Sequence, residues 1–274
     1  MKRIRLVADD YALAPGVSAA IRDLAAAGRL SATSVMTVVP GFRIEAARLR
    51  DTVTPRPFGI GLHLTLTGPY HPLSVNFAPV TRAGTFPDLP ALMALAFAGR
   101  LKPAVIRAEI EAQLDAFAVA FGRMPDHVDG HQHVQLLPTI RGIVLDVVAD
   151  RLHGAWVRQC GRADAPRNLF RDPKGTVLAH LSRAFKSRAA TRGIRVNPAF
   201  AGAYLYQPEA DFAALFPGFL DALPDGGVVM CHPGHVDAEL VARDPLTSHR
   251  EAEFAFLASD GLAAALAAAG AELQ

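Results

Sequence analysis

The sequence predicts an α/β chain folded as a closed or nearly closed barrel of βα units. Short apolar runs alternate along the chain with longer helical stretches, the order that a parallel sheet with crossover helices requires. The short runs are continuously apolar rather than alternating, which suits strands covered on both faces. The length of 274 residues is normal for one α/β barrel, and no linker interrupts it, so residues 1–274 are expected to form one domain.

The elements read in order. "IRLVA" (4–8) is a strand, followed by a Pro-Gly turn and a helix over about 17–27. "SVMTVV" (34–39) is the next strand, then a helix around 43–50, then a strand at "FGIGLHLTL" (58–66). The Pro-rich stretch 67–88 is too long for a simple connection and reads as a functional loop or insertion. Helices follow at about 89–99 and 104–121, "HVDG" (127–130) ends a strand, and 137–152 is helical. "AWVRQ" (155–159) is a strand, and 166–206 is ambiguous, with a helix near 176–192. A helix at about 208–222 leads into the strand "GGVVMC" (226–231), and the Ala-rich segment 249–269 is the last helix.

Composition excludes several classes. Apolar residues make up 51% of the chain, which argues against disorder. The net charge of +2, from 28 basic and 26 acidic residues, comes without a basic stripe, so no nucleic-acid partner is expected. Cys160 and Cys231 form no CxxC pair and read as buried reduced thiols. "MKRIRLVADD", broken by Arg5 and ending in two acids, is not expected to be a signal peptide. No run reaches the ~18 apolar residues of a membrane span, so a cytoplasmic protein is expected. The apolar helices permit a homodimer.

Polar residues fall at strand C-terminal ends: Asp9 and Asp10 after the first strand, His63 in the third, Asp129, His131 and His133 after "HV", and His232 and His235 after "GGVVMC". In α/β barrels those ends share the face where sites are built. Taken singly, each has an ordinary explanation: a core histidine, an N-cap pair, a surface histidine. Together they suggest a divalent metal held by one carboxylate and two imidazoles, with positions left open for water and substrate. In an extended segment, His131 and His133 would point to the same side, one as ligand and one touching substrate. Gly130 permits unusual angles or close approach, and Asp129 is placed to orient a ligand histidine through its other ring nitrogen.

"VADDYALAPGV", "GRLSATSVM", "GLHLTLTG", "HVDGHQHVQLLP" and "MCHPGH" resemble, in order and spacing, the YdjC-like carbohydrate deacetylases, which include chitooligosaccharide deacetylases and the hopanoid-biosynthesis-associated deacetylase. The resemblance implies a distorted, polysaccharide-deacetylase-like (β/α) barrel. It implies a metal on Asp10, His63 and His131, with Asp9 as catalytic base and His232 near the reaction centre. Where many relatives have Phe-Gly after the aspartate pair, this chain has Tyr11-Ala12.

The implied activity is removal of N-acetyl groups from an acetylated amino sugar or oligosaccharide. A cation there activates water, Asp9 takes the proton, and His232 protonates the departing amine, with His235 as local competitor. His133 and Arg158 are the candidate substrate contacts, and His133 is the alternative acid. Zn²⁺ or Mg²⁺ is the foremost candidate metal, with Mn²⁺ and Co²⁺ as alternatives. Rival readings are a catalytically silent sugar-binding barrel and a metal hydrolase acting on another amide or ester. A Cys231-His232 thiol hydrolase is disfavoured, because adjacent strand residues point to opposite faces.

Overall fold

The structure, a computed structural model, describes residues 1–163 and 173–274. Its strands are β1 (Lys2–Tyr11), β2 (Ala32–Val35), β3 (Gly59–Leu64), β4 (His127–Gly130), β5 (Trp156–Val157), β6 (Arg195–Val196), β7 (Phe200–Ala201), β8 (Val228–Cys231) and β9 (Ala271–Leu273). The helices between and after them are α1 (Pro15–Ala26), α2 (Phe42–Arg50), α3 (Leu89–Phe97), α4 (Pro103–Phe121), α5 (Ile140–Arg151), α6 (Pro173–Ala190), α7 (Phe212–Ala222), α8 (Ala238–Arg243), α9 (Ser248–Ala258) and α10 (Asp260–Ala268).

The strands run in the order β6-β5-β4-β3-β2-β1-β8-β7, with β9 added to β1, and every named pairing is parallel. β6 and β7 do not pair along this path. A single bridge from Arg162 to Phe200 partly spans the gap, and Asn197 bonds Gln159 through both its amide oxygen and nitrogen. The result is a distorted, incompletely closed α/β barrel. β5, β6 and β7 are two residues each, and that short arc is the distortion.

Local sequence explains the regular parts. α1 opens with Pro15, whose missing N–H costs nothing there, and buries Val17, Ala20, Ile21 and Leu24, a helical stripe. α4 repeats the logic, with Pro103 at its start and Gly122 at φ +68 at its end, where glycine carries no Cβ penalty. Its buried face carries two polar residues. Gln113 bonds the backbone N–H and C=O of Thr65, and Glu109 accepts from the N–H groups of Leu73 and Ser74. Together they pin the long 65–88 connection to the barrel.

Several elements differ from the sequence expectation. The segment expected as one helix over 249–269 is two, α9 and α10, because the Ser259 hydroxyl accepts from the Gly261 N–H and starts a new helix. α8 and β9 were not anticipated. The second strand ends at Val35 rather than 39. The part of the ambiguous 166–206 region at 164–172 lies outside the described residues. Cys160 and Cys231 are buried free thiols, as expected.

Candidate active site

β1 does not end smoothly. Its register with β2 shifts between Ala8 and Tyr11, and Asp10 and Ala12 take φ of +65 and +76. Asp tolerates this region better than most residues, whereas an alanine there costs roughly 1–2 kcal/mol. Strain of this kind persists where surrounding contacts over-determine it, often at functional sites. Here the Ala12 N–H donates to the Ser18 hydroxyl. The Tyr11 hydroxyl donates to the Glu45 carbonyl and accepts from Arg22.

The kinked strand end carries Asp10 into a cluster. Asp10 Oδ1 lies 3.2 Å from His63 Nε2 and 3.0 Å from His131 Nδ1. One ligand atom from each of these residues lies within 4.8 Å of the others. β3 and β4 pair His63 with Asp129, and the His63 Nδ1 is 2.7 Å from Asp129 Oδ1. That bond fixes the ring and leaves Nε2 for the cluster. Arg250 donates from Nη2 to Asp10 Oδ2 at 2.7 Å and to Asp244 Oδ2 at 3.0 Å, so Oδ1 is the oxygen Asp10 offers.

Asp9 faces a different cation. Arg158 donates to it twice, Nη1 to Oδ1 at 2.7 Å and Nη2 to Oδ2 at 2.6 Å, and lies 3.1 Å from Asp129 Oδ2. Arg158 is 0% exposed and is absent from the residues lining the cleft. The guanidinium sits behind Asp9 and holds it, which differs from the substrate contact expected from the sequence. Asp129 is also held by the Ser34 hydroxyl, which contacts the buried His127 ring at 3.1 Å. Gly61 makes room for that ring, since a Cβ there would lie 2.3 Å from His127 Nε2.

The cluster opens into a cavity of about 280 Å³ lined by Asp9, Asp10, His63, His131, His133 and His232 together with Tyr204, Tyr206 and Arg250. His131 and His133 both reach it, though not as expected. Residues 131–136 form a 3₁₀ turn rather than an extended segment, with Gln132 and His133 at φ +53 and +60. Gly130 is extended, and its role is close approach: a Cβ would lie 2.6 Å from Gln135 Oε1. His235 lies outside the cleft, its ring edge-on to Phe254, while its backbone N–H donates to the Gly16 carbonyl.

Electrostatics sort the groups. Burial alone would raise the Asp10 pKa, but Arg250 and bonds from His131 and His63 hold it well below the usual range. Burial lowers His63, yet Asp129 and Asp9 outweigh it and push the ring up to about 10. That preference for a positive charge between carboxylates is one a metal ion also satisfies. Among the described residues, Asp9, Asp10, Asp129 and Asp244 pair with two guanidiniums, Arg158 and Arg250. With His63 and His131 neutral, as metal ligands are, two negative charges are left over, and a divalent cation would balance them. The two imidazole nitrogens and one carboxylate oxygen thus fit a divalent metal in donor type, convergence and charge.

Burial pushes His133 down to about 3 and His232 down to about 4. Both rings are neutral near pH 7, and an adjacent cation would move them further the same way. Burial also raises the Cys231 thiol well above its ordinary range, and its Sγ points to the Val7 carbonyl, which removes it as a nucleophile.

Arg250, Glu253, Tyr204 and Tyr206 were not anticipated. One signal was present: Arg250, Glu253 and Leu257 share the buried face of α9, so two charged residues occupy an apolar stripe.

Several known proteins are similar to this chain. A carbohydrate deacetylase of Mus musculus is 30% identical over 214 residues, 73% of this chain and 66% of that protein. The chain thus spans somewhat under two thirds of that relative. A chitooligosaccharide deacetylase of Enterobacter sp. (strain 638) is 29% identical over 96% of this chain and 93% of its own. The crystal structure of a proposed cellobiose-phosphate cleavage protein from Enterococcus faecalis V583 superposes with a TM-score of 0.75. It covers 100% of this chain and 97% of that one at 21% identity, a likeness of fold. The YdjC-like protein pattern matches residues 3–268, and the chain belongs to that family.

Proposed function

We propose that this chain, acting as one domain over residues 1–274, is a metal-dependent hydrolase that removes N-acetyl groups from an acetylated amino sugar or oligosaccharide. The observation that carries this reading is the juxtaposition of two aspartates with different partners. Asp10 belongs to a His₂-carboxylate cluster, and Asp9 beside it is held by Arg158 at the wall of the same cleft. A binding protein has no need of the second carboxylate. The names of the relatives support the substrate class.

Asp10, His63 and His131 would hold the metal, and two imidazoles favour Zn²⁺ over the oxygen-preferring Mg²⁺. When bound, the cation supplies Lewis-acid polarisation and a lowered pKa for water. Asp9 takes a proton from the attacking water. Arg158 keeps that carboxylate oriented, so little reorganisation is needed at reaction. The proton gained by Asp9 is the one the departing amine requires, and His232 assists there through a hydrogen bond. His133 Nδ1 is buried without a partner among the described residues. The His133 ring also lines the cleft, where it would contact a substrate hydroxyl or amide.

The test is acetate release from acetylated amino sugars and oligosaccharides, by chelated and metal-reloaded protein. Metal-dependent release is expected. Saccharide binding without release would identify a silent binding barrel, and release only from other amides or esters would reassign the substrate.

A further inference from the structure

His232 follows β8 directly, and its surroundings hold it from two sides. Its backbone N–H donates to Glu253 Oε2, and Glu253 Oε1 accepts from the Tyr204 hydroxyl at 2.7 Å. The Tyr204 ring packs on Tyr206 with centroids 4.4 Å apart. The Tyr206 hydroxyl in turn lies 2.9 Å from His232 Nδ1. Glu253, Tyr204 and Tyr206 therefore link the His232 backbone to its own ring nitrogen. Nε2 has no hydrogen-bond partner among the described residues, and the ring lines the cleft.

Resting on the hydrolase reading above, we infer that Tyr206 is a positioning residue that selects the His232 tautomer bearing its proton on Nε2. His232 thereby meets the substrate as a neutral N–H donor. Donor and acceptor strength fixes the direction of the Tyr206 bond. A phenol O–H is a good donor and a neutral imidazole nitrogen a good acceptor, so O–H···Nδ1 is the better of the two arrangements. Burial pushes the imidazolium down to about 4, which agrees with a neutral ring.

The consequence is chemical. A neutral N–H stabilises an oxyanion or a leaving nitrogen by hydrogen bonding without delivering its proton, and no second proton enters the reaction. Had Tyr206 accepted from Nδ1–H instead, Nε2 would be an acceptor and could not serve this role.

The experiment pairs nitrogen-15 NMR of the His232 ring with kinetics of Tyr206→Phe, which keeps the ring that packs on Tyr204. In the wild-type protein His232 is expected to carry its proton on Nε2 at pH 7. In Tyr206→Phe the signals should shift toward a mixture of tautomers. Its kcat should fall about tenfold, the scale of one lost hydrogen bond, with KM nearly unchanged. A proton on Nδ1 in the wild type, or a variant with unchanged tautomer and kcat, overturns the inference. The NMR result stands apart from turnover, so a wild-type protein that releases no acetate would fail the hydrolase reading and leave the tautomer to be judged separately.

Discussion

Replacing Arg158 tests how the base is built. Its guanidinium gives two bonds of 2.6–2.7 Å to Asp9 and a 3.1 Å contact to Asp129, all fully buried. Arg158→Met leaves both carboxylates without that partner, and breaking a buried pair costs about 3–5 kcal/mol. Folded domains hold about 5–15 kcal/mol, so the variant should fold with a thin margin. Arg158→Lys keeps the charge but loses the fork and should recover only part of the loss. Catalysis should suffer in kcat, because an error of about 1 Å in a reacting group costs on the order of 10²-fold. KM should hold within about twofold, since no substrate contact is lost. Urea unfolding and steady-state acetate release measure both. A variant with intact stability and kcat but a strongly raised KM would show that Arg158 touches substrate and refute the reasoning.

Asp9→Asn should retain metal and fold while turnover falls by ~10²–10⁴, the worth of a general base; Asp10→Asn should instead weaken metal binding in a calorimetric titration. The opposite pattern would exchange their roles. Gly61→Ala should destabilise the fold by about 1–3 kcal/mol, as overpacking does, because its Cβ meets the buried His127 ring stacked on Trp156; a neutral effect in thermal unfolding would contradict that packing. Burial pushes His127 down to about 4 from 6.5, so its contribution to stability is complete above pH 6.5 and is lost as pH falls toward 4, by up to about 3 kcal/mol. Comparing wild type with His127→Gln across that window isolates it from His232, which acts in the same sense, and from Glu253, which burial raises to about 7 and which acts in the opposite sense. Parallel curves would dismiss the assignment.

The regular arc of the barrel was legible because its strands are apolar runs bounded by turn residues, as in β3 and β8. The arc from β5 to β7 was not, since two-residue strands leave no period to read. Ser259 hid the break between α9 and α10, because one capping serine inside an alanine-rich stretch leaves the helical pattern intact. The candidate metal cluster was visible as polar residues at strand ends, and Asp129 as the partner of a ligand histidine, whereas the supporting role of the arginines was not. Arg158 and Arg250 look like ordinary surface arginines until folding buries them. The 3₁₀ turn at His131 defeated the extended reading because Gln132 and His133 adopt positive φ, a region few non-glycine residues visit.

The most direct test of the account is a metal-loaded crystal structure with anomalous scattering recorded at the absorption edge of the metal. It should show one divalent ion bonded to Asp10 Oδ1, His63 Nε2 and His131 Nδ1 at roughly 2.0–2.2 Å, with Asp9 beside it still held by Arg158. An ion bound elsewhere, or these three atoms more than about 3 Å from it, would contradict the account.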